Sequence, residues 1–271
     1  MLKYFFLSLL LFGCNKDMLD IEDKSNGGVW YEPKSRSSWH IDSSYSPTSK
    51  NVELYVVELF LTNPESRVEK IGSDETKVIC KMSAGAYDVE IERNFQIEDH
   101  PYPEIAVGKI RDDNRTYWVD INSDEVQIIM RERIKIASNI GCDGVLFTEV
   151  SSWKDDTGFE ITEDDQISYN RFLSGKAHEN NVFAGFSDVE DQIYSHTLFA
   201  DLIFSNNCYQ DENCIKYEDF SKIGAVLNLE YVPDGTNIDL NQICLYSKAY
   251  GIETRIFDGT QILNPMEECS E

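Results

Sequence analysis

Short apolar runs rich in β-branched and aromatic residues recur along this chain at residues 54–60, 77–83, 117–121, 144–150, 183–187, 202–206, 225–231 and 253–258. Several are almost continuously apolar, as strands are when helices cover them. Between them the period lengthens to that of a helix. Val126, Ile129, Met130, Ile136, Ala137 and Ile140 fall on one helical face. Thr162 with Asp165 has the spacing of a capping box and predicts a helix running towards His178. Eight strand and helix alternations in one domain predict an α/β fold of the (β/α)8 TIM-barrel type. A doubly wound sheet is the alternative. A chain of 271 residues with 41% hydrophobic content is sufficient for one such core.

In barrels of this kind the chemistry sits at the carboxyl ends of the strands. The polar residues there are Glu58, Ser83, Asp120, Thr148, Glu149, Ser187, Asp188, Asn206, Asn207, Glu230, Tyr231 and Asp258. Acids, amides and hydroxyls suit a hydroxyl-rich ligand. Tyr87, Trp118, Trp153 and Tyr209 lie near the same rim and are candidates to stack on sugar rings. The blander reading is that such polar groups solvate the mouth while the aromatics pack beneath loops. Alternation sends Thr148 and Glu149 to opposite faces, so Glu149 is expected to point outward unless the strand stops at Thr148.

The first residues stand apart from the fold. Met1, Leu2 and Lys3 give a short basic start, residues 4–12 form an apolar run, and Gly13 precedes Cys14. The run is too short to span a bilayer and has the layout of an export signal. Its ending predicts a lipoprotein signal peptide over residues 1–13, with lipid on Cys14; an ordinary signal peptide is the alternative. Residues 14–28 lack apolar periodicity and read as a flexible acidic tether, leaving 29–271 as the folded part. The expected place is that of an exported bacterial lipoprotein, at the cell surface or in the periplasm, touching the membrane through its lipid anchor only.

Charge and cysteines narrow the partners. The balance of 24 basic against 49 acidic residues, a net charge of -25, repels nucleic acid and anionic lipid at long range. A cationic polymer of amino sugars would be attracted, although solubility explains the charge as well. Export allows disulfides. Cys208 and Cys214 enclose a short acidic loop and are expected to pair, while Cys80 and Cys142 either pair or fill core volume. Cys244 and Cys269 are the remaining two. The histidines, His40, His100, His178 and His196, lack ligand spacing, so neither metal nor other cofactor is expected.

A set of local motifs occurs in order between about residue 39 and 232. It comprises Lys77-Val-Ile-Cys-Lys-Met-Ser-Ala-Gly-Ala-Tyr87, Tyr117-Trp-Val-Asp-Ile121, Gly141-Cys-Asp-Gly-Val145, Asp156-Thr-Gly-Phe159, Asp165-Gln166, Tyr169-Asn-Arg171, and Cys208 with Cys214. Together they resemble glycoside hydrolase family 114, the endo-α-1,4-polygalactosaminidase-like barrels. The resemblance implies a barrel that cleaves α-1,4-linked galactosamine polymers with two carboxylates and no metal.

It breaks where the chemistry would be decided. After Gly-Cys-Asp-Gly the family strand ends in Pro-Asp-Asn, the Asp being the expected catalytic carboxylate; here Phe147, Thr148 and Glu149 stand there. The family's second carboxylate falls on Asn206, and a Lys-Asn-Asp triplet becomes Ser187, Asp188 and Val189. Glycoside cleavage needs one carboxyl to protonate the leaving oxygen and another to attack or to activate water. Threonine and asparagine do neither. Glu149 and Glu230 are the substitute catalytic candidates, the latter matching a Glu-Tyr pair of the family. Tyr87, Asp88, Asp120, Thr148, Ser187, Asp188, Asn206 and Tyr231 are the candidate sugar-binding residues. The expected function is that of a membrane-anchored relative, catalytically weakened or inactive, that acts on or binds amino-sugar polysaccharide. An active polygalactosaminidase using Glu149 and Glu230 is the alternative.

Overall fold

A computed structural model describes residues 30–257 and 267–269, apart from 45, 62, 74, 95–101, 234, 235 and 237. Cys14, the tether and Asp258 lie outside the described residues. The chain runs through β1 (Trp39–Asp42), β2 (Leu54–Glu58), α1 (Pro64–Ile71), β3 (Lys77–Ser83), β4 (Ala86–Asp88), α2 (Val89–Asn94), β5 (Val107–Ile110), β6 (Thr116–Val119) and α3 (Asp124–Asn139). It continues through β7 (Gly144–Thr148), α4 (Glu163–Glu179), β8 (Phe183–Ser187), α5 (Ile193–His196), β9 (Leu202–Asn206), α6 (Glu218–Ser221), β10 (Ala225–Tyr231), α7 (Leu240–Tyr250), β11 (Glu253–Phe257) and β12 (Glu267–Glu268).

Strands β1, β2, β3, β7, β8, β9, β10 and β11 neighbour one another in that order and are all parallel. They form a nearly closed (β/α)8 barrel. At the seam the Trp39 indole donates to the Glu253 carbonyl at 3.0 Å. Among the described residues no helix is long and apolar enough to cross a membrane.

The core has two layers because successive strand residues point to opposite sides. Ile41, Val56, Ile79, Leu146, Phe204 and Leu229 fill the barrel, while Tyr55, Cys80, Val145, Phe186, Ile203 and Val226 pack outward against the helices. Gly144 belongs to the inner layer, where a Cβ would stand 2.3 Å from the Phe183 ring. The helices begin as their sequences require. Ser123 caps α3, and Thr162 and Asp165 close the expected capping box on α4. Arg133 and Ile134, rather than Ile136, complete the buried face of α3.

Two expectations about strands change. Residues 117–121 do not supply a barrel stave. They overlap β6, the middle strand of an antiparallel β4, β6, β5 sheet inserted between β3 and α3. The missing stave is β1, whose Trp39-His40-Ile41-Asp42 alternates instead of running apolar. His40 and Asp42 are nevertheless buried, with His40 edge-on to the Tyr55 ring at 5.1 Å.

All three disulfides form: Cys80 with Cys142, Cys208 with Cys214, and Cys244 with Cys269. His196 is fully buried among Phe186 and Phe199; its Nε2 faces the Asn170 amide at 3.1 Å and its Nδ1 the Gln192 carbonyl at 2.9 Å. Burial pushes its pKa down to about 4. The folded state therefore holds a neutral ring that the unfolded chain protonates below about pH 6.5. This contribution is present above that pH and is lost as pH falls through about 4. Urea unfolding should show a loss of about 3 kcal/mol between pH 7 and pH 4 that His196→Gln lacks.

Candidate active site

A cavity of about 870 Å³ opens at the carboxyl ends of β2, β3 and β7, and the inserted β4 to β6 sheet walls one side. Glu58, Lys81, Ser83, Asp88, Thr148 and Glu149 are among its lining residues. Glu149 does not follow the alternation expected of it. Its φ of 55° places it in the left-handed region, which ends β7 and turns the side chain back into the cavity. A non-glycine residue there carries a strain of roughly 1 to 2 kcal/mol. The turn also needs Gly85, where a Cβ would lie 1.8 Å from the Glu149 carbonyl oxygen. The glycine of the Ser83-Ala84-Gly85-Ala86 motif thus serves the neighbouring strand.

The Thr148 hydroxyl donates to Glu149 Oε2, while Arg111 reaches Oε1 at 3.4 Å. The Arg111 guanidinium lies over the Trp118 ring at 4.5 Å. Two more ion pairs line the same space, Lys81 with Glu58 at 2.6 Å and Arg115 with Asp88 at 2.9 Å. Arg111 and Arg115 bracket the hairpin between β5 and β6, and no sequence motif singled them out. Lys81 was visible as a charge within an apolar strand.

A second polar group stands at the ends of β8 and β9. Asp188, at φ 57°, accepts from the Asn206 amide at 3.0 and 2.9 Å, from the Asn206 backbone at 3.2 Å and from the Ser187 hydroxyl at 2.7 Å. Burial nonetheless raises its pKa from the ordinary aspartate value. Thr148 and Asn206 are thus neutral side chains that each donate to an adjacent acid. Tyr231 ends β10 half-buried against Phe257.

Other candidates leave the site. Glu230 is fully buried on the outer side of β10, since Leu229 and Tyr231 face inward. Its carboxylate accepts from the Tyr209 backbone at 2.7 Å, the Gln210 amide at 2.9 Å and the Asn228 amide at 2.9 Å. It clamps the loop after β9 and is not placed to reach a sugar. Cys208 and Cys214 lie near it, but their sulfurs are bonded to each other and do not form a metal site. Asp120 accepts from the Asn122 backbone in the turn leading to α3, because its run is not a barrel strand. Tyr87 packs edge-on to Tyr102 at 5.4 Å, on the opposite side of β4 from Ala86 and Asp88. Tyr209 packs on Tyr246, and Trp118 is covered by Arg111.

The glycoside hydrolase family GH114 model matches residues 22–267. The chain belongs to glycoside hydrolase family GH114. No curated protein sequence matches. Among solved structures, Aspergillus fumigatus Ega3 in complex with galactosamine is similar at 27% identity and TM-score 0.74, covering 86% of this chain and 95% of that one. A variant of the glycoside hydrolase domain of PelA from Pseudomonas aeruginosa is similar at 10% identity and TM-score 0.60, covering 81% and 93%, a likeness of fold. Within this GH114 frame, Thr148 and Asn206 sit at the ends of the fourth and sixth barrel strands.

Proposed function

We propose that this GH114 member binds an amino-sugar polysaccharide of the galactosamine type at its barrel mouth and does not cut it by the family route. The observation that carries the reading is the pair Thr148 and Asn206, neutral side chains bonded to Glu149 and Asp188. A hydroxyl and an amide hold sugar hydroxyls but do not exchange protons near neutral pH. Glu149, turned into the cavity, favours a second reading in which it acts as a substitute carboxylate in slow hydrolysis.

We further propose an exported lipoprotein anchored through Cys14. Trp30, the first described residue, stacks on His178 at 3.9 Å, and Tyr31 packs against Phe183 at the start of β8. The chain thus enters at the amino-terminal end of the barrel, opposite the mouth. A tether of this length reaches at most about 50 Å, and in this reading it attaches at the end of the barrel opposite the mouth. On an immobilised α-1,4-linked galactosamine polymer the protein should be retained and free polymer should elute it. Absence of retention on both acetylated and deacetylated polymer contradicts the binding reading.

A further inference from the structure

Resting on the reading that the mouth binds an amino-sugar polymer, we propose that the cavity selects the N-acetylated, uncharged sugar over the free amine. The chain as a whole is strongly acidic, with a net charge of -25, and a polycation would be drawn to it from a distance. Within a Debye length the lining decides instead. There four of the five acids are already engaged. Glu58 is held by Lys81 at 2.6 Å, Asp88 by Arg115 at 2.9 Å and Glu149 by Arg111 at 3.4 Å. Asp113 is spent in the hairpin turn, accepting from the Arg115 backbone at 2.9 Å, the Thr116 backbone at 2.8 Å and the Thr116 hydroxyl at 2.6 Å. Glu90 is exposed at the rim. A sugar ammonium entering this space must displace a resident cation from its carboxylate or lie beside it.

An acetamido group meets the opposite situation. Guanidinium carries five N–H donors, and Arg111 uses only part of its set on Glu149, so it retains donors for an amide carbonyl. Phe60, Leu61 and Ile91 add apolar surface to the lining of the same cavity, with the Arg133 guanidinium over the Phe60 ring at 4.9 Å, and Leu61 and Ile91 suit an acetyl methyl. Cationic donors and apolar side chains in one cavity match an N-acetyl group in both halves. The inserted hairpin is therefore a specificity element, since it delivers the two arginines that neutralise Glu149 and Asp88.

The test is calorimetric titration of the protein with a fully deacetylated α-1,4-galactosamine oligomer and with the same oligomer after chemical N-acetylation. Salt of about 0.5 M, where the Debye length is roughly 4 Å, suppresses attraction to the outer surface. The acetylated oligomer should bind at least about tenfold more tightly. Arg111→Gln with Arg115→Gln should narrow that ratio about tenfold by freeing Glu149 and Asp88 for the amine. Leu61→Asp, which places an acid in the cavity lining outside the hairpin, should shift the ratio in the same direction. Equal or tighter binding of the free amine by the parent protein overturns the selectivity and leaves the glycan reading standing. Binding of neither oligomer overturns the glycan reading, and the selectivity with it.

Discussion

Placing carboxylates at the two strand ends alone, as Thr148→Asp with Asn206→Glu, should yield little cleavage, whereas a fourfold variant also carrying Glu149→Asn and Asp188→Asn should release oligosaccharides from a galactosamine polymer. The reason lies in what each neutral side chain now touches. The Thr148 hydroxyl donates to Glu149, and the Asn206 amide donates to both oxygens of Asp188. A carboxylate placed at either position meets another carboxylate within hydrogen-bond distance, and like charges so close do not both ionise near neutral pH. Asparagine at 149 and 188 removes the conflict. At position 149 it also suits the left-handed backbone at φ 55° better than glutamate does. A positioned acid and base contribute on the order of 10² to 10⁴ in rate, so the fourfold variant should exceed the double variant by at least about a hundredfold. Reducing ends counted by mass spectrometry measure this. Equal activity in the two variants would show that the neighbouring acids do not matter.

The second large effect is on stability. Removing the Cys80 to Cys142 bridge by paired alanine substitutions should lower the unfolding free energy by about 4 kcal/mol, against about 2 kcal/mol for Cys208 with Cys214. The bridges span 62 and 6 residues, and the longer loop loses more entropy on closure. Cys80 points outward from β3, and Cys142 lies just before β7. The bridge therefore ties together the two strands that set Ser83 opposite Thr148. Urea denaturation of the two variants checks the order. An equal loss in both would contradict the loop-length account.

Much of the barrel was legible because its staves are buried on both faces and read as apolar runs. The first stave was not, since His40 and Asp42 occupy its outer positions, where Asp42 accepts from the Ser44 backbone and the Tyr55 hydroxyl and His40 packs edge-on to Tyr55, contacts that no pattern shows. Residues 117–121 look like a stave because an antiparallel strand under a loop draws on the same β-branched and aromatic residues. The site divides in the same way. Thr148, Ser187 and Asn206 were placed at the mouth by topology alone. The direction of Glu149 depended on one backbone angle after the strand, whereas Glu230 obeyed the alternation and went outward. Arg111 and Arg115 come from an insertion, and their partners could not be known before the hairpin was placed.

Binding without cleavage is tested by incubating the protein with α-1,4-linked galactosamine oligomers, acetylated and deacetylated, then separating bound from free and measuring chain length. Bound oligomer of unchanged length is expected, with no new reducing ends above the buffer control. Shortened products that disappear with Glu149→Gln would contradict it and make Glu149 the working carboxylate.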